Sequence, residues 1–382
     1  MNKDFFDKPY DDGTQIKLEL YRRYIRSWLP VFIAQNYSHI EILDLFAGPG
    51  SDAEGNSGSP LITIEEIGTY CKQLLHKRCT VNIILNDINH KSTKVLSYNL
   101  NEKTSACDQK NNCGCNEGKI HCPYKVQISN RDFTEIFKDI YINCTQSQHI
   151  PRFIFLDQFG MKYITPDVFK KLINLQKTDF MFFISSHHIM RFSQSQEFNK
   201  YLKLKDLAFS DKRPSECHRI LFQYFKSQVD KKGFIGQFSI KKGSTYYGLI
   251  FYSNNPLGLS KFIDAAWKID PLTGETNHDI DGDPIKSGEL FLDFDGDGKV
   301  NTVRKLVHFK SLLVDFLKTP KTNENIFIFA LENGISTSKT NEVLRALEAD
   351  GMLSFKGNRR KGAFYIDYKP SKKITIQSNE NI

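Results

Sequence analysis

The sequence predicts an α/β chain: a mostly parallel sheet covered by helices and closed by an antiparallel hairpin, then a small helical domain ending in a basic hairpin. Three observations predict this. Short apolar runs alternate with amphipathic segments as far as Ser185. Two longer apolar runs then flank the turn "KKGS". Beyond Val303 the pattern changes to three helical segments and a hairpin rich in Lys and Arg.

The first helix is "TQIKLELYRRYIRSWLPVFIAQ", with apolar residues at Ile16, Leu20, Tyr24, Trp28 and Leu29, and Pro30 is expected to end or kink it. Strands follow at Ile40–Phe46, Val81–Asp87, "KVQIS", Pro151–Asp157 and Asp179–Ser185. Between them lie helices over "PLITIEEIGTYCKQLL", "KSTKVLSYNLNEK", "FTEIFKDIYIN" and "TPDVFKKLINLQ". Ser59 is the expected N-cap of the first of these, with Pro60 at its first position. Strand–helix alternation implies right-handed crossovers and a parallel sheet covered on both faces. Phe234–Tyr252 reads as the antiparallel hairpin, and a helix carrying Trp267 follows Pro256.

The expected organisation is an N-terminal helical lead (1–35), an α/β domain (36–268) with a Cys-rich insertion (105–124), and an acidic linker or insertion (269–302). A C-terminal domain (303–370) and a tail (371–382) complete it. Three helices followed by "LSFKGNRRKGAFYIDY" look like a winged helix.

The balance is 52 basic to 44 acidic residues, +8 overall, and from Met352 to Lys373 seven basic residues face one acid. Such clustering is the footprint of a DNA or RNA partner, or of a solvated tail, and Arg359, Arg360 and Lys361 at the hairpin tip are the candidate contacts. No apolar run is long enough for a membrane span, and the N-terminus lacks a secretory core, so a cytoplasmic protein without a membrane partner is expected. Its eight cysteines then read as thiols or metal ligands rather than disulfides.

"DLFAGPG" ends a strand with Asp44 and continues through Phe46, Gly48 and Gly50. The glycines would bare main-chain N–H groups at the carboxyl edge of the sheet, where open α/β sheets bind ligands. Asp87 ends the second strand and suits ribose hydroxyls, while Asp132 follows the third and suits an adenine edge. Carboxylates at three strand tips would repel a pyrophosphate. The third glycine of a dinucleotide fingerprint and the Lys of a P-loop are both missing. A cationic nucleoside, S-adenosylmethionine, fits best. The loop "SDAEGNSG" after Gly50 is long enough to serve as a lid.

On these residues the chain resembles class I S-adenosylmethionine-dependent methyltransferases, with "DLFAGPG" and "NDIN" as their first two motifs and the terminal hairpin as their sheet ending. More narrowly it resembles the three-Cys-motif partner protein family (TcmP), on "FFD", "KLELYRRYIRSWLP", "LDLFAGPG", "GSPL", "FLDQFG" and the closing winged helix. That resemblance implies a Rossmann-like methyltransferase fold, S-adenosylmethionine as cofactor and a three-Cys-motif protein as partner. In "FLDQFG", Asp157 and Phe159 stand where amino-group methyltransferases bind and stack their acceptor, which makes them the catalytic candidates. The two prolines usual there are absent, and Asp157 can equally just end a strand.

Cys107, Cys113, Cys115 and Cys122 lie in one polar segment and can form a zinc site, an iron–sulfur site or unliganded thiols. "DFDGDG" begins like a calcium loop, but its twelfth position is Arg304. His187 and His188 follow the fifth strand and either face the site or cap a helix. Three functions compete: a methyltransferase, acting on nucleic acid; a non-catalytic adapter that keeps its fold; and a winged-helix DNA-binding regulator.

Overall fold

The computed structural model describes residues 8–105, 122–158, 162–193, 195, 209, 213–229, 233–282 and 303–379. The chain divides into two compact units, Met1–Asn254 and Asn255–Ile382.

In the first unit the strands are β1 (His39–Asp44), β2 (Thr80–Asn86), β3 (Tyr124–Ser129), β4 (Arg152–Leu156), β5 (Thr178–Ile184), β6 (Phe234–Lys242) and β7 (Thr245–Ser253). They form one seven-stranded sheet in the order β3-β2-β1-β4-β5-β7-β6. β1 to β5 run parallel, and β7 is antiparallel to both β5 and β6. This is the expected mostly parallel sheet closed by an antiparallel pair, and its strand order reverses between β1 and β4. β4 and β5 are buried almost throughout, which explains their unbroken apolar sequences.

The helices are α1 (Asp12–Ala34), α2 (Ser59–Gly68), α3 (Cys71–His76), α4 (His90–Ser105), α5 (Phe133–Gln146), α6 (Pro166–Ile173), α7 (Ser186–Phe192) and α8 (Cys217–Lys226). On one face α5, α6 and α8 bury Phe133, Phe137, Phe169 and Phe225 against Phe180 and Phe182. On the other, α1 lays Tyr21, Tyr24 and Trp28 across the sheet. The ring of Tyr21 is 4.6 Å from that of Phe155, and Tyr24 is 4.8 Å from Phe251. The Tyr24 hydroxyl and Trp28 Nε1 both donate to Asp179 Oδ2, at 2.6 and 2.9 Å. Burial raises the Asp179 pKa to about 6, against the pull of these neutral donors.

α1 is therefore a layer of the first unit rather than a lead before it. Buried Glu66 of α2 fastens it by accepting from Arg22 and Arg26. Nor does Pro30 end it. The Arg26 carbonyl, deprived of its donor four residues on, accepts instead from the Tyr70 hydroxyl at 3.1 Å. At α2 the cap is Gly58, not Ser59. Two short helices replace the single expected one, α2 stopping at Gly68.

In the second unit, α9 (Pro256–Ile269) carries the Trp267 side chain, whose Nε1 donates to the Gly334 carbonyl at 3.0 Å. This moves α9 out of the domain expected to end at residue 268. Residues 270–276 are no plain linker. The Asp270 carboxylate accepts from the main-chain N–H groups of Leu272, Thr273, Glu275 and Thr276. Then come α10 (Arg304–Phe316), β8 (Lys321–Thr322), α11 (Asn323–Glu332), α12 (Thr337–Ala349), β9 (Leu353–Lys356) and β10 (Thr375–Ser378). β10 lies in the middle of an antiparallel sheet, between β8 and β9. Residues expected to be a tail thus supply its central strand. The partner of β9 is β10, and the long segment between them is tied down by buried Asn323, whose Nδ2 donates to the carbonyls of Tyr365 and Lys372.

Candidate functional site

Parallel register brings the strand tips to one edge. Asp44 pairs with Leu85 of β2 and with Phe155 of β4, so Asp87 and Asp157 each stand two residues beyond a partner of Asp44. Asn86 pairs with Ser129, which aligns the end of β3 as well.

Asp44 is 1% exposed. Its Oδ2 accepts from Ser59 Oγ at 2.6 Å and its Oδ1 from the Phe46 N–H at 3.2 Å. Ser59 thus serves the site instead of capping α2. Among the described residues no cation pairs with Asp44, and burial raises its pKa to about 7. Asp87 Oδ2 accepts from the Gly48 N–H at 2.9 Å, and Oδ1 from the Asn89 N–H at 2.7 Å. Burial raises this carboxylate too. Gly48 and Gly50 have φ of 60° and 85°, conformations that disfavour a side chain. A Cβ on Gly50 would also come within 2.8 Å of Leu96.

The loop that follows is stapled, not a free lid. Asp52 accepts from the N–H groups of Glu54 and Asn56, from Asn56 Nδ2 and from the Tyr10 N–H at 2.8 Å. Ser51 and Ser57 close it with an antiparallel bridge. Tyr10 belongs to the segment before α1. Burial, then the carboxylates of Asp52, Asp157 and Asp44, hold its phenol above the ordinary range.

Asp132 caps α5, its Oδ1 accepting from the Thr134 N–H at 2.8 Å; the hydrogen bonds to Thr134 lower its pKa. Oδ2 has no hydrogen-bond donor among the described residues. Buried Asn86 fixes this corner, donating to the Arg131 carbonyl at 3.0 Å and accepting from the Arg131 N–H. Phe46 stacks on Phe133 at 5.1 Å, and Tyr163 lies 5.3 Å from each.

Asp157 carries a partner that the sequence reading missed. Lys17 of α1, 7% exposed, donates its Nζ to Asp157 Oδ2. The signal was present: Lys17, Tyr21, Tyr24 and Trp28 recur at helical spacing on the buried stripe, one step round from the stripe through Ile16. Gln158, next in the chain, is 2% exposed, and its Oε1 accepts from the N–H groups of Tyr163 and Ile164. Phe159 lies outside the described residues.

Other candidates divide. His188 Nδ1 hydrogen-bonds with Ser185 Oγ at 2.5 Å, a side-chain contact that caps no main-chain group, while the His187 ring is 6.0 Å from that of Tyr246. Cys107, Cys113 and Cys115 fall outside the described residues, and Cys122 is half-buried just before β3. Among the described residues no group of three or more His, Cys, Asp or Glu could hold a metal ion. "DFDGDG" also lies outside them. No described helix is long and apolar enough to cross a membrane.

In the second unit Arg359 is not a free contact. Its guanidinium sits 3.7 Å from the Phe355 ring centre and 5.0 Å from that of Phe364, donates to Glu348 Oε1 at 2.7 Å and to the Ala363 carbonyl. Sequence cannot distinguish an arginine stacked between aromatics from one offered to solvent. Arg360 and Lys361 are exposed.

No protein-family model matches the chain. No curated protein matches it. Among solved structures it is similar to the complex of Trm1 from Pyrococcus horikoshii with S-adenosyl-L-methionine, at 12% identity over 97% of this chain and 91% of that one, TM-score 0.36. It is also similar to the O-methyltransferase TomG from Streptomyces achromogenes in complex with SAM (10% identity, 65% and 91% covered, TM-score 0.32). A third is the O-methyltransferase from Bacillus cereus in complex with SAH (10%, 64% and 91%, TM-score 0.31).

Proposed function

We propose that the first unit is an S-adenosylmethionine-dependent methyltransferase. The observation that carries this reading is the meeting of Asp44, Gly48 and Asp87 at the carboxyl edge where the sheet reverses. The residues fit the ligand. Asp87 is held in place by two N–H groups and has capacity left for ribose hydroxyls, Asp132 Oδ2 for an adenine amino group, and uncompensated Asp44 for the methionine ammonium. When bound, S-adenosylmethionine supplies an electrophilic methyl group on a sulfonium. The chain's own work is alignment and exclusion of water, which needs no acid–base triad. Calorimetry with S-adenosylhomocysteine tests the reading: binding is expected, and its absence leaves an adapter with a methyltransferase scaffold.

Asp44 gives that measurement a pH signature. Its carboxyl is raised from 3.8 to about 7 in the folded chain, so its contribution to stability is complete below 3.8 and lost as pH rises through about 7. An ammonium beside it favours the carboxylate. Below pH 7, S-adenosylhomocysteine binding should therefore release protons, approaching one per site, and weaken as pH falls. Titrations at one pH in buffers of different ionisation enthalpy count the protons; uptake would contradict the assignment.

The second unit's element order, helix, short strand, two helices and two strands around a long basic segment, favours a winged helix that binds nucleic acid. Lys356, Arg360, Lys361, Lys369, Lys372 and Lys373 are exposed along it. Replacing Arg360 and Lys361 by Ala should weaken duplex binding about tenfold at low salt and lower the salt slope by about 2. Arg359→Ala should instead lower the stability of this unit; an unchanged salt slope in the double variant would exclude the wing as the contact. The quoted motifs support a three-Cys-motif protein as a further partner.

A further inference from the structure

The end of β4 offers hydrogen-bond donors where an amine acceptor would need acceptors. Lys17 occupies the carboxylate that an amine would use, through Asp157 Oδ2. An ammonium has three N–H donors. Asp157 takes one, the Phe183 ring lies 4.7 Å from Nζ, and no other hydrogen-bond acceptor among the described residues reaches it. The lysine cannot easily withdraw. Its helix is pinned at the start, where Asp11 pairs with Lys242 at 2.8 Å, and at the Tyr10–Asp52 bond.

Gln158 is an independent second donor. Two main-chain N–H groups point at its Oε1, so that atom is oxygen and the other is the amide nitrogen. Nε2 is buried with no hydrogen-bond partner among the described residues. A buried N–H left unsatisfied is costly, and a ligand oxygen would relieve it. Asp157 and Gln158 are the first two residues beyond the end of β4.

We infer that the methyl acceptor is an oxyanion of the carboxylate or phenolate class, and that Lys17 determines this specificity. The inference rests on the methyltransferase reading. An acceptor oxygen lone pair forms the O–CH3 bond, the C–S bond breaks, and its electron pair goes to sulfur, which becomes a neutral thioether. An oxyanion needs no base, because no proton moves. A protonated amine would find the Asp157 carboxylate already paired and would meet the Lys17 ammonium as a like charge.

The test separates the two readings. Failure of S-adenosylhomocysteine to bind the full chain sinks the methyltransferase. If it binds, benzoate and benzylamine are titrated into the saturated complex. Benzoate is expected to bind about tenfold more tightly. Lys17→Met should abolish the preference, and Lys17→Arg, which keeps the charge, should restore it. Should Lys17→Met not fold, the 15N-labelled lysine spectrum of the unmodified chain serves: the Lys17 resonance should shift with benzoate and not with benzylamine. Tighter binding of benzylamine, binding of neither probe, a preference that survives Lys17→Met, or a Lys17 resonance indifferent to benzoate would overturn the inference.

Discussion

Asp87→Ala should raise the dissociation constant for S-adenosylhomocysteine about 100-fold. The side chain does two things that one substitution removes together. It holds the Gly48 N–H at 2.9 Å and the Asn89 N–H at 2.7 Å, which sets the turn after β1, and it presents acceptors to the ligand. Hydrogen bonds to a charged group are worth about 1.5–3 kcal/mol each, and roughly 1.4 kcal/mol is tenfold in affinity. Two lost bonds to ribose account for the expected change. Asp87→Asn should lie between, because its amide can accept from one N–H but not from both. Calorimetry of the three chains decides the matter. Equal affinity for Asp87→Ala would mean that the ribose does not sit at β2, and the site would have to be redrawn.

Glu41→Ala should destabilise the first unit by about 3–5 kcal/mol, the usual cost of stranding one member of a buried pair. Arg152 opens β4 and is 1% exposed, and its Nε donates to Glu41 Oε2 at 2.5 Å across the β1–β4 pairing. Two of its other N–H groups go to the Ser147 hydroxyl and the Ile150 carbonyl, neither of which carries a charge to replace Glu41. Replacing both residues, as Glu41→Ala with Arg152→Met, should recover much of the loss, since an apolar pair strands no charge. Urea unfolding followed by tryptophan fluorescence provides the midpoints. Trp28 is buried in the first unit and Trp267 lies in the second, so a Trp267→Phe background isolates the first signal. A shift below about 1 kcal/mol, the range of exposed ion pairs, would show that Arg152 finds other compensation.

The strands were legible because each is a short apolar run between turn residues, and the carboxylates at Asp44, Asp87 and Asp157 marked their carboxyl ends. The parallel sheet and its antiparallel ending followed from strand–helix alternation and the final hairpin; the strand order did not. Legibility failed where a residue's meaning depends on its long-range partner. Lys17 looks like a solvated helical lysine until Asp157, 140 positions away, is seen beside it. Ser59 has the form of an N-cap, but a buried carboxylate competes for its hydroxyl and wins. Pro30 breaks an isolated helix, yet a distant tyrosine satisfies the carbonyl that it orphans. Arg359 read as a contact because charge alone carries no account of the two rings around it. β10 was hidden because four residues after a basic stretch give no periodicity to read.

The position of β10 has a consequence for biosynthesis. The sheet of the first unit is complete once Ser253 has left the ribosome, so that unit can acquire its core while the rest is still being made. The small sheet has no such freedom: until Thr375–Ser378 emerges, β8 and β9 have nothing between them to join. A premature stop before Thr375 would thus spare the first unit and leave a nascent second unit open to proteolysis.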